Sequence, residues 1–238
     1  MTSPTIVLVH GAFADASTWR RVYDRLAHDG YTVLAPEIPL RGLPHDASFT
    51  ESLIDQLEGP VVLAGHSYGG AVITVAGSSD NVAGLVYVAG VVPDEGESVN
   101  DLQGRFPSLA MGPLIQPLEL ADGRVEVSID PTRFPDVFGA DLPADDAAFR
   151  AISQRRVAAS AFDDPATAAA WRTKPSWAVF GTGDQPVAPE LHRFSYDRAG
   201  SKVTEVDGAS HLVMLSQPEI VAGVIRDAVI ACTPSAVT

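Results

Sequence analysis

Short apolar runs recur along the chain at intervals. Ile6 to Val9, Tyr31 to Ala35, Val61 to Ala64, Val82 to Ala89 and Ser176 to Phe180 contain few polar residues, and Lys202 to Val206 adds a further β-favouring stretch. Runs of this length, without polar–apolar alternation, fit strands buried on both faces of a parallel sheet. The segments between them carry helical spacing. Thr18 to His28 sets Trp19, Val22, Tyr23 and Leu26 on one face and closes at Gly30. After a loop from Leu40 to Ala47, Ser48 to Leu57 reads as a second helix, with Ser48 and Glu51 forming a capping box. Pro189 to Tyr196 and Pro218 to Ala231 read as helices near the C-terminus. This alternation predicts an α/β three-layer sandwich, a mostly parallel sheet of about six strands flanked by helices.

The rhythm breaks after Val92. The stretch to about Thr173 is dense in Pro, Gly and Asp, with a hairpin expected at Glu119 to Val127 and helices at Ala144 to Ala159 and Pro165 to Trp171. The pattern divides the chain into a core of residues 1–92 and 174–238 and an inserted cap of residues 93–173; Thr233 to Thr238 are expected to fray. The 238 residues suffice for one such domain with a full core.

The run Val61 to Ala64 leads into Gly65-His66-Ser67-Tyr68-Gly69-Gly70-Ala71-Val72, read as a sharp turn carrying Ser67 followed by a helix from about Tyr68. G-x-S-x-G in this strand–turn–helix context is a nucleophile elbow. Its glycines let the backbone bend tightly, and the helix start turns unpaired N–H groups toward developing negative charge. A serine hydroxyl needs a base, and the base needs a carboxylate to fix its tautomer. Of the six histidines only His192 and His211 follow the elbow; His192 falls inside a helix and His211 in the loop after the last strand, so His211 is the expected base. Asp184, in Gly181-Thr182-Gly183-Asp184, is the expected acid, with Asp94 the alternative and Asp207 read as a turn residue. The expected oxyanion donors are the backbone N–H groups of Tyr68 and of Ala12, or else Phe13, in the turn His10-Gly11-Ala12-Phe13. Phe13, Tyr68, Leu212 and Met214 flank this chemistry and are the expected pocket residues. The cap offers Phe106, Leu109, Met111, Leu114, Phe134, Phe138, Phe149 and Phe162, most of them as its own core.

Charge narrows the partners. Thirty acidic against 16 basic residues give a net charge of -14, which repels phosphate backbones and anionic headgroups, so neither nucleic acid nor a membrane is expected. Cys232 is the only cysteine, no phosphate-binding or dinucleotide fingerprint is complete, and no His/Cys cluster has metal-ligand spacing, so no cofactor or metal is expected. Cys232 reads as a quiet helix residue, and Asp145-Asp146 and Asp163-Asp164 as helix-start or solvated residues. No apolar run nears the roughly 20 residues of a membrane helix, and the N-terminus lacks a basic region, which fits a cytoplasmic protein.

His10-Gly11-Ala12-Phe13, Gly65 to Gly70, Asp184 and His211, in this order within residues 6 to 231, resemble the α/β-hydrolase fold superfamily. The Leu8-Val9-His10-Gly11-Ala12 opening is similar to the branch that holds small esterases, plant methylesterases and hydroxynitrile lyases. That resemblance implies a capped sheet, no cofactor, and Ser67, Asp184 and His211 as the triad. The lyases of the branch carry a threonine after the loop histidine and a lysine after the catalytic one. Gly11 and Leu212 stand there instead and favour hydrolysis, and serine at the elbow argues against the epoxide hydrolases and haloalkane dehalogenases of the same fold. The expectation is a serine hydrolase that cleaves a small to medium hydrophobic carboxylic ester or lactone through an acyl-enzyme. A small-molecule receptor on the same fold, or a lyase or perhydrolase using the same residues, is the alternative.

Overall fold

The computed structural model describes residues 3–106 and 111–233; Leu109 and the tail beyond Thr233 lie outside the described residues. Its first half runs β1 (Thr5–Val9), α1 (Arg20–His28), β2 (Val33–Leu34), α2 (Leu43–Ile54), β3 (Val61–His66), α3 (Tyr68–Ala76) and β4 (Val82–Val88). An insertion follows with α4 (Val99–Gln103), β5 (Ile115–Glu119), β6 (Val125–Ile129), α5 (Phe134–Phe138), α6 (Ala144–Ile152) and β7 (Val157–Ala158). The chain then returns through β8 (Ser176–Gly181), α7 (Pro189–Arg198), β9 (Lys202–Val206), α8 (Val213–Ser216) and α9 (Pro218–Cys232).

Six strands form one sheet in the order β2-β1-β3-β4-β8-β9, every neighbour parallel. Parallel strands need helical crossovers, and these cover the sheet: α1 packs with α9, which lies on β3, β4 and β8, while α2 packs with α3, which lies on β1, β3 and β4. β3 and β8 are buried along their whole length, which is why their sequences show no alternation. All strands point the same way, so their carboxyl ends share one edge, where ligands of open α/β sheets bind.

Several local readings are corrected by partners distant in sequence. α2 starts at Leu43, not Ser48, because the Leu43 N–H finds the Asp164 carboxylate at 3.0 Å, from 121 residues further along. Asp164 is therefore a cap on another element and neither a helix-start nor a solvated residue, while Ser48 lies inside the helix and accepts from the Ser52 hydroxyl. α6 stops at Ile152. Val157 and Ala158 pair with β6 instead, and the Ala158 N–H also donates to the Leu40 carbonyl at 2.9 Å, a ladder that no local pattern shows. The helix expected at Pro165 to Trp171 is only a 3₁₀ turn at Ala170–Arg172. β2 is shorter than Tyr31 to Ala35 because it is an edge strand paired with β1 alone. Tyr23 faces solvent, whereas Trp19, Val22 and Leu26 are buried. The Glu119 to Val127 hairpin forms as β5 and β6, and no helix among the described residues is long and apolar enough to cross a membrane.

Candidate active site

Ser67 sits between β3 and α3 with φ 53° and ψ −123°, a conformation that costs a side-chain-bearing residue about 1–3 kcal/mol and persists only where its surroundings over-determine it. They do so here. The Ser67 carbonyl accepts from the N–H groups of Gly70 (2.9 Å) and Val91 (3.0 Å), and the Ser67 N–H donates to the Val88 carbonyl at 3.3 Å. A Cβ on Gly69 would lie 2.6 Å from the Val9 carbonyl oxygen, and one on Gly11 2.8 Å from the Ser67 Cβ. The turn after β1 and the turn carrying Ser67 thus touch backbone to backbone, a separation only glycine permits.

Asp184 and His211 meet at the same edge. Asp184 follows β8, His211 follows β9, and the His211 Nδ1 lies 2.7 Å from the Asp184 Oδ2 with both side chains buried. The Asp184 Oδ1 accepts the Val187 N–H at 2.9 Å. Burial alone pushes this carboxyl up, but His211 and His192 more than offset it and hold Asp184 below the usual carboxylate range. The His66 Nε2 is 3.0 Å from the His211 carbonyl oxygen, and the two rings are 4.8 Å apart, which ties the residue before Ser67 to the loop carrying His211. Burial, then the neighbouring His211, keep His66 well below the ordinary histidine range, so it stays neutral and donates from Nε2. His10 is similarly fixed: burial lowers it, its Nδ1–H donates to the Gly11 carbonyl and its Nε2 accepts the Ile38 N–H, each at 2.9 Å. Among the described residues, the N–H groups of Ala12, Phe13 and Tyr68 have no acceptor.

Ser67 opens into a cavity of about 320 Å³ lined from the sheet edge by Ala12, Phe13, Pro186 and Val187, and from the insertion by residues that include Met111, Ile115, Phe138 and Phe162. Phe138 stands edge-on to the His211 ring at 5.5 Å, and Phe13 stacks on Phe162 at 6.0 Å. Among the described residues that line it, none carries a charge, and the polar ones besides Ser67 are Asn100 and Gln103. The pocket reading needs correction at three positions. Tyr68 is buried away from the cavity, its hydroxyl donating to the Asp46 Oδ2 at 2.8 Å. Leu212 lines a separate, smaller cavity beyond Phe13, and Met214 is packed in the core. The apolar residues of the insertion also split: Met111, Phe138 and Phe162 face the cavity, Leu114 and Phe134 are buried without lining it, Phe106 packs on Phe194, and Phe149 is 65% exposed.

A sequence profile of the alpha/beta hydrolase family matches residues 6–224. The chain belongs to that family. A probable hydrolase, R7, of Phoma sp. (strain ATCC 20986 / MF5453) is 28% identical, over 95% of this chain and 98% of its own. Among solved structures, polyneuridine aldehyde esterase superposes with a TM-score of 0.81 at 20% identity, over 95% of this chain and 99% of that one. A pyrethroid hydrolase from Sphingobium faniae JZ-2 gives a TM-score of 0.77 at 24% identity, over 97% and 98%.

In this alpha/beta hydrolase the alternative acids are engaged elsewhere. Asp94 is paired with Arg172, Nε to Oδ1 at 2.9 Å, and the exposed Asp207 accepts from the Thr182 hydroxyl at 3.2 Å. No group of three His, Cys, Asp or Glu side chains among the described residues is arranged to hold a metal ion. The Cys232 thiol is pushed up by burial and lies 3.2 Å from the Ala83 carbonyl. By its spacing in the sequence His192 reads as a helix residue. The fold brings its Nε2 to 3.1 Å from the Asp184 Oδ2, and the one available signal was its position one helical turn beyond the loop of Asp184.

Proposed function

We propose that this alpha/beta hydrolase cleaves an uncharged, hydrophobic carboxylic ester or lactone through an acyl-enzyme on Ser67. The observation that carries the reading is the buried contact of His211 with Asp184 beside the strained Ser67 turn, with Phe138 touching the His211 ring and lining the cavity that holds Ser67. Ser67 attacks the acyl carbon while His211 takes its proton, Asp184 keeping the imidazole proton on Nδ1 and stabilising the imidazolium. The N–H groups of Ala12 and Tyr68 receive the oxyanion, and the positive end of α3 adds to their effect. His211 then protonates the leaving alcohol and activates the water that frees the acid. The 93–173 insertion acts as the cap. Its apolar wall excludes water, which strengthens the contacts to the oxyanion, and the uncharged lining gives a carboxylate- or ammonium-bearing substrate no partner for its charge.

The test is turnover of p-nitrophenyl acetate, butyrate and octanoate by the purified protein, with a pre-steady-state burst. Ser67→Ala is expected to lower kcat by a factor on the order of 10⁴–10⁶. Turnover unchanged by Ser67→Ala overturns the mechanism, and tight ester binding without turnover by the parent protein overturns hydrolysis in favour of a receptor.

A further inference from the structure

We infer that His192 is a positioning residue, whose ring N–H holds the Asp184 carboxylate in register for His211. The inference rests on the triad proposed above and adds a fourth member to it. The His192 side chain is wholly buried on α7, and its Nε2 approaches the same Asp184 oxygen, Oδ2, that His211 uses, at 3.1 Å against 2.7 Å. An ionised carboxylate only accepts hydrogen bonds, so the His192 Nε2 carries the hydrogen. The other ring nitrogen, Nδ1, is buried with no hydrogen-bond partner among the described residues. The rest of the ring lies against Phe180 (4.9 Å) and stacks on Tyr196 (5.3 Å), a setting an apolar ring would suit better. A buried, half-satisfied imidazole costs stability. What this one supplies is a donor to Asp184.

With the Val187 N–H on Oδ1 and His192 on Oδ2, the carboxylate plane is held independently of His211. His211 can therefore gain and lose its Nε2 proton without the anchor turning. A second donor on Oδ2 also draws charge from that oxygen and tempers its hold on the imidazolium. The groups facing His192 from the packed elements are few. Asp184 and His211 come from the loops after β8 and β9, with His66 behind His211. On its own helix Tyr196 donates its hydroxyl to the Gly90 carbonyl, with Tyr87 of β4 beyond it. The Arg193 guanidinium lies over the Phe180 ring and is paired with Glu205 of β9.

The experiment compares His192→Phe and His192→Gln with the parent in p-nitrophenyl ester turnover. His192→Phe keeps the ring stack and removes the donor; kcat is expected to fall about tenfold with KM within about twofold. The acid limb of its kcat/KM profile is expected to move to higher pH, and the melting temperature to hold or rise. His192→Gln presents an amide N–H at similar reach and is expected to restore kcat and the limb. A His192→Phe protein that matches the parent in kcat and acid limb overturns the inference. So does a loss that follows a falling melting temperature and is not restored by Gln. Should the Phe variant fail to fold, ¹H–¹⁵N spectra of the parent's histidine rings decide: an exchange-protected Nε2–H on His192 is expected, and an unprotonated Nε2 overturns the inference. A parent protein inert to esters and to fluorophosphonate labelling refutes the hydrolase reading instead, while the ring spectrum still decides the hydrogen bond.

Discussion

The two sides of the cavity are built from different material. On the sheet side, His10, Ser67, Asp184 and His211 each stand just beyond the carboxyl end of a strand, β1, β3, β8 and β9, where the parallel ladder sets backbone position closely. On the insertion side, Met111, Phe138 and Phe162 project from a 3₁₀ turn, a five-residue helix and loops, held by contacts such as Ala158 on Leu40 and Asp163 on Asn100. On the proposed function the sheet side would be a scaffold for chemistry that tolerates little displacement, and the insertion side a wall whose shape selects what enters. Substitutions on the two sides should therefore separate in kind, kcat on one and KM or stability on the other.

After Ser67 itself, the largest effect is expected at Asp184. Asp184→Asn should lower kcat about 10⁴-fold with the fold retained, because the amide favours the wrong tautomer of His211. The same residue has a signature in acid. Although burial raises its carboxyl, His211 and His192 hold it below the ordinary range in the folded protein. Its stabilising contribution is therefore complete above the unfolded value near pH 4 and is lost as pH falls through the lower folded value. Between about pH 4 and pH 2 the parent's thermal midpoint should fall more steeply than that of Asp184→Asn; parallel curves would break the assignment.

Next comes Gly11→Ala, which puts a methyl group 2.8 Å from the Ser67 Cβ and 3.0 Å from the His66 carbonyl oxygen and must displace the turn bearing the Ala12 N–H. A kcat loss of about 10²-fold with a smaller change in KM is expected, and ester kinetics with equal KM and kcat changes would count against it. On the other side, Phe162→Ala removes a ring that stacks on Phe13 and walls the cavity. KM for p-nitrophenyl octanoate should rise about fivefold with kcat within about threefold; a collapse of kcat would erase the contrast between the two sides. The smallest effect is expected for Asp164→Ala, which removes the carboxylate that meets the first N–H of α2. A loss of about 1 kcal/mol in urea denaturation is expected, with kcat unchanged.

Where the chain was legible and where it was not follows the same division. The elbow could be read because Gly65, Ser67 and Gly69 do their work within five consecutive residues, between a run that can only be a buried strand and a small-residue helix start. Asp184 and His211 meet because the order of strand ends dictates which loops reach the common edge. Tyr68, Leu212 and Met214 are not legible as pocket or core because adjacency to a candidate site residue says nothing about direction. In the first turn of α3 the Tyr68 side chain points to Asp46, while Leu212 lines a different cavity and Met214 is buried in the core at the start of α8. His192 was missed because a residue inside a helix shows by its spacing which face it shares, not which charge the next loop brings to that face.

The amino-acid order by itself determined the parallel sheet, the break in its rhythm after β4 and the tight turn at Ser67, since each depends on interactions among neighbours along the chain: strand burial, turn sterics and helix starts. Only the tertiary structure decided which aromatic rings wall the cavity, that Asp164 starts α2 and that two histidines share one oxygen of Asp184. Those outcomes turn on side-chain direction and on partners far apart in the chain, and neither leaves a periodic mark in the sequence.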